Sequence, residues 1–408
     1  MSDVPLASDE VLIEYILGEA AGFIMVTRGT GVVALHELPL GRAALAARVQ
    51  EFLSGLRQDE PAPLSLEQAQ ELYEILLAKP LASLAPWERI IIVPDGVLSL
   101  LPFEALVMAI DTATQARLYV GDQFPLVYYP SAAVLAQQRG RPAAAPPQRW
   151  LAVANPLFPP PALGLSEQKS KEKTKGEAQQ EAPPPPKAWT PVYQALASHR
   201  AWGPVTPGPR RDQWLLYPPR LTIEPLLHDL AQQWQTPPQT ATVLLGSAAA
   251  RSHWEAQTPQ DHGFLHFATY TDFSQTVQGL LQPFILLGWK QPPAPGDGPL
   301  TLQEILGRSW PVQVVVLDNG IIGRGQALAN DGVALLCRGL FYAGARNVLV
   351  NLWPLEPATA FTFYQDFYAA LRQGQSPQEA FLRARQHLRQ IHPEPRIWAA
   401  WQLWGEGS

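Results

Sequence analysis

Two stretches carry the residue types from which a reactive or binding site is built. In VQVVVLDNGIIGRGQ (Val312–Gln326) an unbroken apolar run stops at Asp318, Asn319 and Gly320, and Gly323 and Arg324 follow. In DHGFLHFATYTDF (Asp261–Phe273) His266 lies inside an apolar run, and Tyr270 and Asp272 fall just past its end. Both runs have the composition of buried strands, and in an open parallel sheet ligands and reacting groups gather where strands end. A strand, closely spaced glycines and a helix also outline a phosphate cradle, with free N–H groups at the helix start. The spacing fits neither GxGxxG nor GxxxxGK[ST], and Arg324 is the one cation there. A nucleotide or small-ligand site therefore stands beside the plainer reading of a flexible strand-to-helix connection. Tyr270 can donate a proton or a hydrogen bond, but an ordinary phenol pKa of about 10 makes it a poor base at neutral pH. Asp272 and Asp318 are the residue types that two-carboxylate hydrolysis needs, although nothing in the sequence sets their separation. His266 reads most simply as a core histidine. His262 and His266, four apart on a strand, stand roughly 13 Å apart, too far to share a metal ion. Ser252 and His253 are sequence neighbours, unlike the partners of a catalytic pair. No metal and no cofactor is expected.

The elements that must position these residues follow from apolar periodicity and turn residues. Gly22–Leu38 reads as two strands around Gly-Thr-Gly, and Gly41–Leu56 and Leu66–Leu77 as helices. Arg89–Leu106 opens as a strand, turns at Pro-Asp-Gly and enters an apolar helix start. Leu126–Tyr129 reads as a strand, Ser131–Gln138 as a helix, and Trp150–Phe158 begins as another strand. The tract SEQKSKEKTKGEAQQEAPPPPK (Ser166–Lys187) cannot bury enough apolar surface to order itself, so a mobile insertion is expected over 159–220. Beyond it come a helix at Leu221–Trp234 and strands at Ala241–Gly246, Gly263–Thr269 and Pro283–Gly288. A helix at Leu302–Gly307 leads into the strand that ends at Asp318, and Asp331–Ala343 continues as a helix. Asn347–Leu355 is a strand, and the helices Ala358–Arg372 and Ser376–Ile391 close the chain. Short apolar strands alternating with helices predict an α/β fold with a mostly parallel sheet. Residues 1–158 and 221–408 read as two parts of one domain. No repeat of about 34 residues is present, so no helical solenoid is expected.

Composition narrows the function classes. The chain has 408 residues, 47% hydrophobic and 16% charged, with a net charge of −6, which argues against nucleic acid as a partner. No apolar run approaches a membrane span, and the start MSDVPLASDE lacks the basic-then-apolar order of a signal peptide, so a cytoplasmic protein is expected. A single cysteine, Cys337, excludes an internal disulfide and a Cys-based zinc cluster. The 13 tryptophans read mainly as buried packing.

Several blocks together resemble the CHAT family, caspase-like peptidases related to separases and gingipains. They are IIIVPDGVLSLLPFEAL (Ile90–Leu106), LHFATYT (Leu265–Thr271), VVVLDNGIIGRG (Val314–Gly325), AGARNVLVNLWPLEPATA (Ala343–Ala360) and IHPEPRIWAAWQLWGE (Ile391–Glu406). They occur in the family's order, from about residue 12 to residue 405 outside the insertion. The resemblance implies a caspase-like sandwich, a mostly parallel sheet flanked by helices, with an N-terminal β-hairpin and helical extension. It also implies a Cys–His dyad at two neighbouring strand ends, the imidazole generating the thiolate and backbone N–H groups holding the oxyanion. Matched residue by residue, the histidine of the family's HG pair falls on Tyr270 and the nucleophilic cysteine on Gly320. His266 matches an upstream histidine within the strand, and Cys337 a packing position. With both positions lost, the resemblance implies a pseudo-peptidase acting as a protein-binding or regulatory subunit. Its partner would be an active CHAT-like peptidase or that peptidase's substrate, and a homo-oligomer is compatible. The docking surface would be a cleft of His266, Asp272, Asp318, Asn319, Gly323 and Arg324, an outer sheet edge, or the C-terminal region of Trp398, Trp401 and Trp404. Two alternatives stand beside this one. One is an active cysteine endopeptidase using Cys337 with His262 or His266. The other is a scaffold acting through the insertion.

Overall fold

The computed structural model describes residues 4–29, 31–57, 66–82, 84–111, 113, 116–142, 149–156, 223–235, 239–272, 276–277, 280–281, 283–289, 297–318 and 332–406. The expected insertion at 159–220 lies outside the described residues. Among the described residues eighteen strands follow in chain order: β1 (Glu10–Leu17), β2 (Gly22–Arg28), β3 (Gly31–Leu38), β4 (Arg89–Val93), β5 (Val107–Ile110), β6 (Arg117–Tyr119), β7 (Leu126–Tyr128), β8 (Arg149–Ala154), β9 (Thr240–Leu245), β10 (Phe264–Ala268), β11 (Thr271–Asp272), β12 (Thr276–Val277), β13 (Leu280–Leu281), β14 (Phe284–Ile285), β15 (Leu300–Thr301), β16 (Val314–Leu317), β17 (Asn347–Asn351) and β18 (Trp401–Gly405). Eleven of them form one sheet in the order β3-β2-β1-β4-β7-β18-β17-β16-β10-β8-β9.

Nine of its strands form two parallel blocks joined at an antiparallel seam, and the β2–β3 hairpin adds antiparallel to β1. β1, β4, β7 and β18 run parallel to one another. β17, β16, β10, β8 and β9 also run parallel to one another. The blocks meet where β17 pairs antiparallel with β18. β10, β16, β17 and β18 are buried along their whole length, as strands covered on both faces must be. Helices flank the sheet, giving the mostly parallel α/β architecture the sequence predicts. The expected N-terminal extension is present as the β2–β3 hairpin and the helices Arg42–Arg57 and Leu66–Leu76.

Four local expectations change. Pro283–Gly288 is not a strand of the main sheet; Phe284–Ile285 forms the middle strand of a small three-stranded sheet with β11 and β15, and Gly288 makes an isolated bridge to Ala250. A short buried apolar run is equally at home in any interior segment, and periodicity cannot tell them apart. The apolar turn after Pro94-Asp95 forms two short 3-10 segments, Gly96–Leu100 and Phe103–Ala105, in place of an α-helix start. β1 is a strand that the sequence reading passes over. Finally, the chain does not close on two helices. After Pro377–Ile391 come a short helix, Pro395–Trp398, and β18, which sits at the seam of the sheet. Trp398, Trp401 and Trp404 are all buried there and cannot form a docking surface. Gln402 interrupts the apolar run, yet it is satisfied inside: its amide donates to Leu101 O at 2.8 Å and its oxygen accepts from Trp404 Nε1 at 3.2 Å.

Candidate functional site at the ends of β10 and β16

β10 and β16 are adjacent and parallel, with Phe267 opposite Leu317. The ladder continues one step further, since Asp318 N donates to Phe267 O at 2.9 Å. Ala268 and Asp318 therefore stand side by side at one edge of the sheet. Past β10 the chain turns under two bonds: Thr269 Oγ1 donates to Leu286 O at 2.7 Å, and Leu286 N donates to Tyr270 O at 2.8 Å. Tyr270 is half-buried there. The backbone of Asp272 pairs with Phe284 in β14. Asn319, Gly320, Gly323 and Arg324 lie outside the described residues, and with them the glycine-rich loop.

Beneath this edge is a buried polar cluster. His266 and Asp318 are each 1% exposed. His266 Nε2 stands 3.6 Å from Asp318 Oδ2, and His266 Nδ1 stands 2.9 Å from the Tyr368 hydroxyl. Burial, reinforced by the charge of Asp318, pushes the Tyr368 phenol well above its ordinary pKa, so it keeps its proton. An imidazole protonated on Nε2 suits both neighbours: Nδ1 accepts from the Tyr368 O–H, and the Nε2 proton faces the carboxylate. Aromatic rings enclose the pair. Tyr364 lies 4.9 Å from the imidazole centroid, and Trp150 meets it edge-on at 6.0 Å. Tyr364 in turn accepts a hydrogen bond from Trp401 Nε1 at 3.0 Å, tying the cluster to β18. Tyr364 and Tyr368 come from the helix Pro357–Arg372, four residues apart on one face. That spacing, in FTFYQDFY, is the signal that would have found them.

The other candidates fall elsewhere. Cys337 lies in the helix Gly332–Ala343, fully buried, and burial pushes its thiol well above the ordinary range. His262 is 1% exposed, its Nδ1 stands 3.2 Å from Thr258 O, and burial lowers its pKa. No group of three or more His, Cys, Asp or Glu able to hold a metal ion occurs among the described residues. No described helix is long and apolar enough to cross a membrane.

A second buried charge cluster was not anticipated. Glu104, from the LPFEAL block, is 1% exposed and accepts from the Tyr128 hydroxyl at 2.6 Å. Arg385 Nη1 stands 3.5 Å from Glu104 Oε1, and Arg385 Nη2 donates to Gly121 O at 3.4 Å. A charged residue inside an otherwise apolar run was the available signal, because an unpaired buried carboxylate is too costly to keep.

A mostly parallel α/β sheet whose neighbouring strands β10 and β16 carry two of the motif blocks defines the class. The chain belongs to the CHAT domain family, whose model matches residues 66–406. The match starts later than the motif blocks suggested, so β1–β3 and the helix Arg42–Arg57 lie ahead of it. Among curated proteins, tetratricopeptide repeat protein 28 of Homo sapiens is 33% identical over 108 residues, which is 26% of this chain and 4% of that protein. The Mus musculus protein of the same name is 32% identical over 108 residues, with the same coverage of 26% and 4%. This chain thus spans a small fraction of the relatives it matches. Two crystal structures of the Saccharomyces cerevisiae separase–securin complex align with TM-scores of 0.46 at 10% and 9% identity, covering 97% of this chain and 30% of theirs.

Proposed function

We infer that this chain is a CHAT-family pseudo-peptidase that binds a protein partner without cutting it. The observation that carries the reading is the pair Tyr270 and Gly320, a phenol and a bare backbone at the positions where the family's motif has histidine and cysteine. Hydrolysis through a covalent intermediate begins with a thiolate made by a nearby base. Glycine has no atom that can attack, and a phenol is no base near neutral pH.

The surroundings support this. The strands preceding the two positions are neighbours in the sheet, so a dyad would have had its usual frame. The single thiol, Cys337, is buried with a raised pKa and lacks the thiolate character a nucleophile needs, which counts against a peptidase built on it. His262 and His266 are both buried and engaged by Thr258 and Tyr368. The partner we propose is an active CHAT-like peptidase or its substrate, held at the strand-end edge.

The test combines loss and gain. The wild-type chain is expected to leave unstructured protein substrates uncut and to resist a thiol-directed covalent probe while folded. The variant Gly320→Cys with Tyr270→His, checked as folded by circular dichroism, is expected to gain labelling at residue 320. Cleavage by the wild type, or a folded double variant with no reactive thiol, would overturn the assignment.

A further inference from the structure

At one corner of the molecule three arginines stand without an acid. The helix Ala132–Arg139 lies beside the helix Gly332–Ala343 and runs the same way. Pro130 O, just ahead of the first helix, accepts from Arg338 Nη2 at 2.9 Å, and Gln138 Nε2, near its end, donates to Ala345 O at 3.0 Å. Arg141 follows the first helix and Arg346 the second. Arg141 Nη1 donates to Gln138 Oε1 at 3.4 Å, and Arg346 Nη2 donates to Pro142 O. One buried glutamine and one turn thus hold both guanidiniums. Burial, and then the nearby charge of Arg346, lowers the Arg141 pKa, as expected for two like charges kept close. Among the described residues none of Arg141, Arg338 and Arg346 forms an ion pair with a carboxylate. Glu406, one step beyond the Asn347–Gly405 pair of the β17–β18 ladder, is taken by Arg139 at 2.7 Å. A cation at a helix C-terminus is favourable, yet Arg139 already supplies one for the first helix. The exposed stripe of the second helix runs into the same corner. Leu335, Arg338 and Tyr342 share one face by their spacing, and Leu335 and Tyr342 are 37% and 63% exposed.

We propose that this corner docks an acidic segment of a protein partner, whose carboxylates pair with Arg141 and Arg346 and whose apolar side chain lies on Leu335 and Tyr342. In a chain of net charge −6 a surplus of cations at one corner is a local feature, and its complement is a local cluster of acids. Two guanidiniums side by side present the planar forks that carboxylates fit. Gln138 and Pro142 already hold them, so little side-chain freedom is lost on binding. Tyrosine and arginine are the residue types that carry most energy at protein interfaces, and Tyr342 stands one turn from Arg338. A nucleic acid would use a longer run of cations and would leave Leu335 idle. The corner lies at the edge of the sheet where β17 begins, opposite the edge where β10 and β16 end. It therefore acts independently of Tyr270 and Gly320 and goes beyond the function proposed above.

Titrating the full chain into the dye-labelled peptide Glu-Glu-Leu-Glu-Glu-Leu-Glu-Glu-Leu, followed by fluorescence anisotropy, is expected to give saturable binding that weakens as salt rises. No binding up to about 1 mM protein overturns the proposal. Arg141→Gln with Arg346→Gln, checked as folded by circular dichroism, is expected to weaken binding by about tenfold or more. Arg372→Gln with Arg383→Gln removes the same charge from the helices Pro357–Arg372 and Pro377–Ile391 and is expected to leave binding unchanged. An equal loss in both pairs means that bulk charge alone draws the peptide, and overturns the surface. Tyr342→Ala, at an exposed position, is expected to weaken binding several-fold, and so is serine in place of every leucine of the peptide. Binding indifferent to both changes, or inorganic tripolyphosphate competing as well as the peptide, means an oxyanion site alone and overturns the protein segment as its occupant.

Discussion

Glu104 and Arg385 show how tightly single residues are constrained in this interior. Burial raises the Glu104 pKa, and the nearby Arg385 opposes that rise. Burial lowers the Arg385 pKa, and Glu104 opposes that fall. Replacing Arg385 with methionine strands a buried carboxylate and is expected to cost about 3–5 kcal/mol at neutral pH. The sign with pH follows from the raised pKa. The folded state holds the Glu104 proton to higher pH than the unfolded chain, so the associated stability is present below 4.5 and falls as pH rises through the folded value. Arg385→Met removes a lowering influence and deepens that fall. Denaturant unfolding at several pH values is expected to show the gap between wild type and variant widening from mildly acidic to neutral pH; a constant gap would refute it. At the candidate site, Tyr368→Phe deletes the partner of His266 Nδ1 and is expected to cost roughly 1–3 kcal/mol in the same assay. Cys337 is expected to resist iodoacetamide in the native chain and to label promptly in denaturant, as a buried high-pKa thiol must; prompt native labelling would contradict that account.

At the scale of elements, termini and packing carry different weights. The helix Pro377–Ile391 starts with a capping box, Ser376 Oγ accepting from Glu379 N at 3.3 Å while Glu379 Oε2 accepts from Ser376 N at 2.8 Å. Gly344 ends the helix Gly332–Ala343 at φ +126, a conformation that side chains rarely adopt, and a Cβ there would come within 2.7 Å of Trp310 O. β18 is held by Trp401, whose ring stacks on Phe363 with centroids 4.0 Å apart. Trp401→Ala is expected to cost about 3–5 kcal/mol and Ser376→Ala about 1 kcal/mol. Comparable losses, measured by chemical denaturation, would mean that β18 contributes little to the fold.

The whole molecule is knit across the seam. One hydrophobic cluster runs from Val4 to Trp404 and includes both parallel blocks. Arg139 ties Glu10 of β1 to Glu406 just past β18, at 2.8 and 2.7 Å. Because β18 pairs with β7 on one side and β17 on the other, neither block can lose it without exposing a row of backbone groups. Calorimetry is therefore expected to give a single cooperative transition for the described sheet, and Trp401→Ala to shift it as a unit. Two resolved transitions would show that the blocks fold separately.

Much of this was legible in the residues. Apolar runs with glycine and proline punctuation located the longer helices and most strands of the sheet, because periodicity follows directly from which face is buried. The motif blocks led to the CHAT family, and the identities of residues 270 and 320 are simply read from the chain. Partners distant in sequence were not legible. His266 is 52 residues from Asp318 and 102 from Tyr368, and Glu104 is 281 from Arg385. Their meeting depends on strand order, which local pattern does not encode. For the same reason the tail WAAWQLWG gave no sign that it becomes a strand at the seam, since only the neighbours on either side decide that. Sequence by itself determined the kinds of element, the family and the side chains at the two motif positions, because these rest on local chemistry and order along the chain. Tertiary structure alone decided which polar groups are buried together and which apolar strand is left at the sheet's end, because burial is a property of how elements pack.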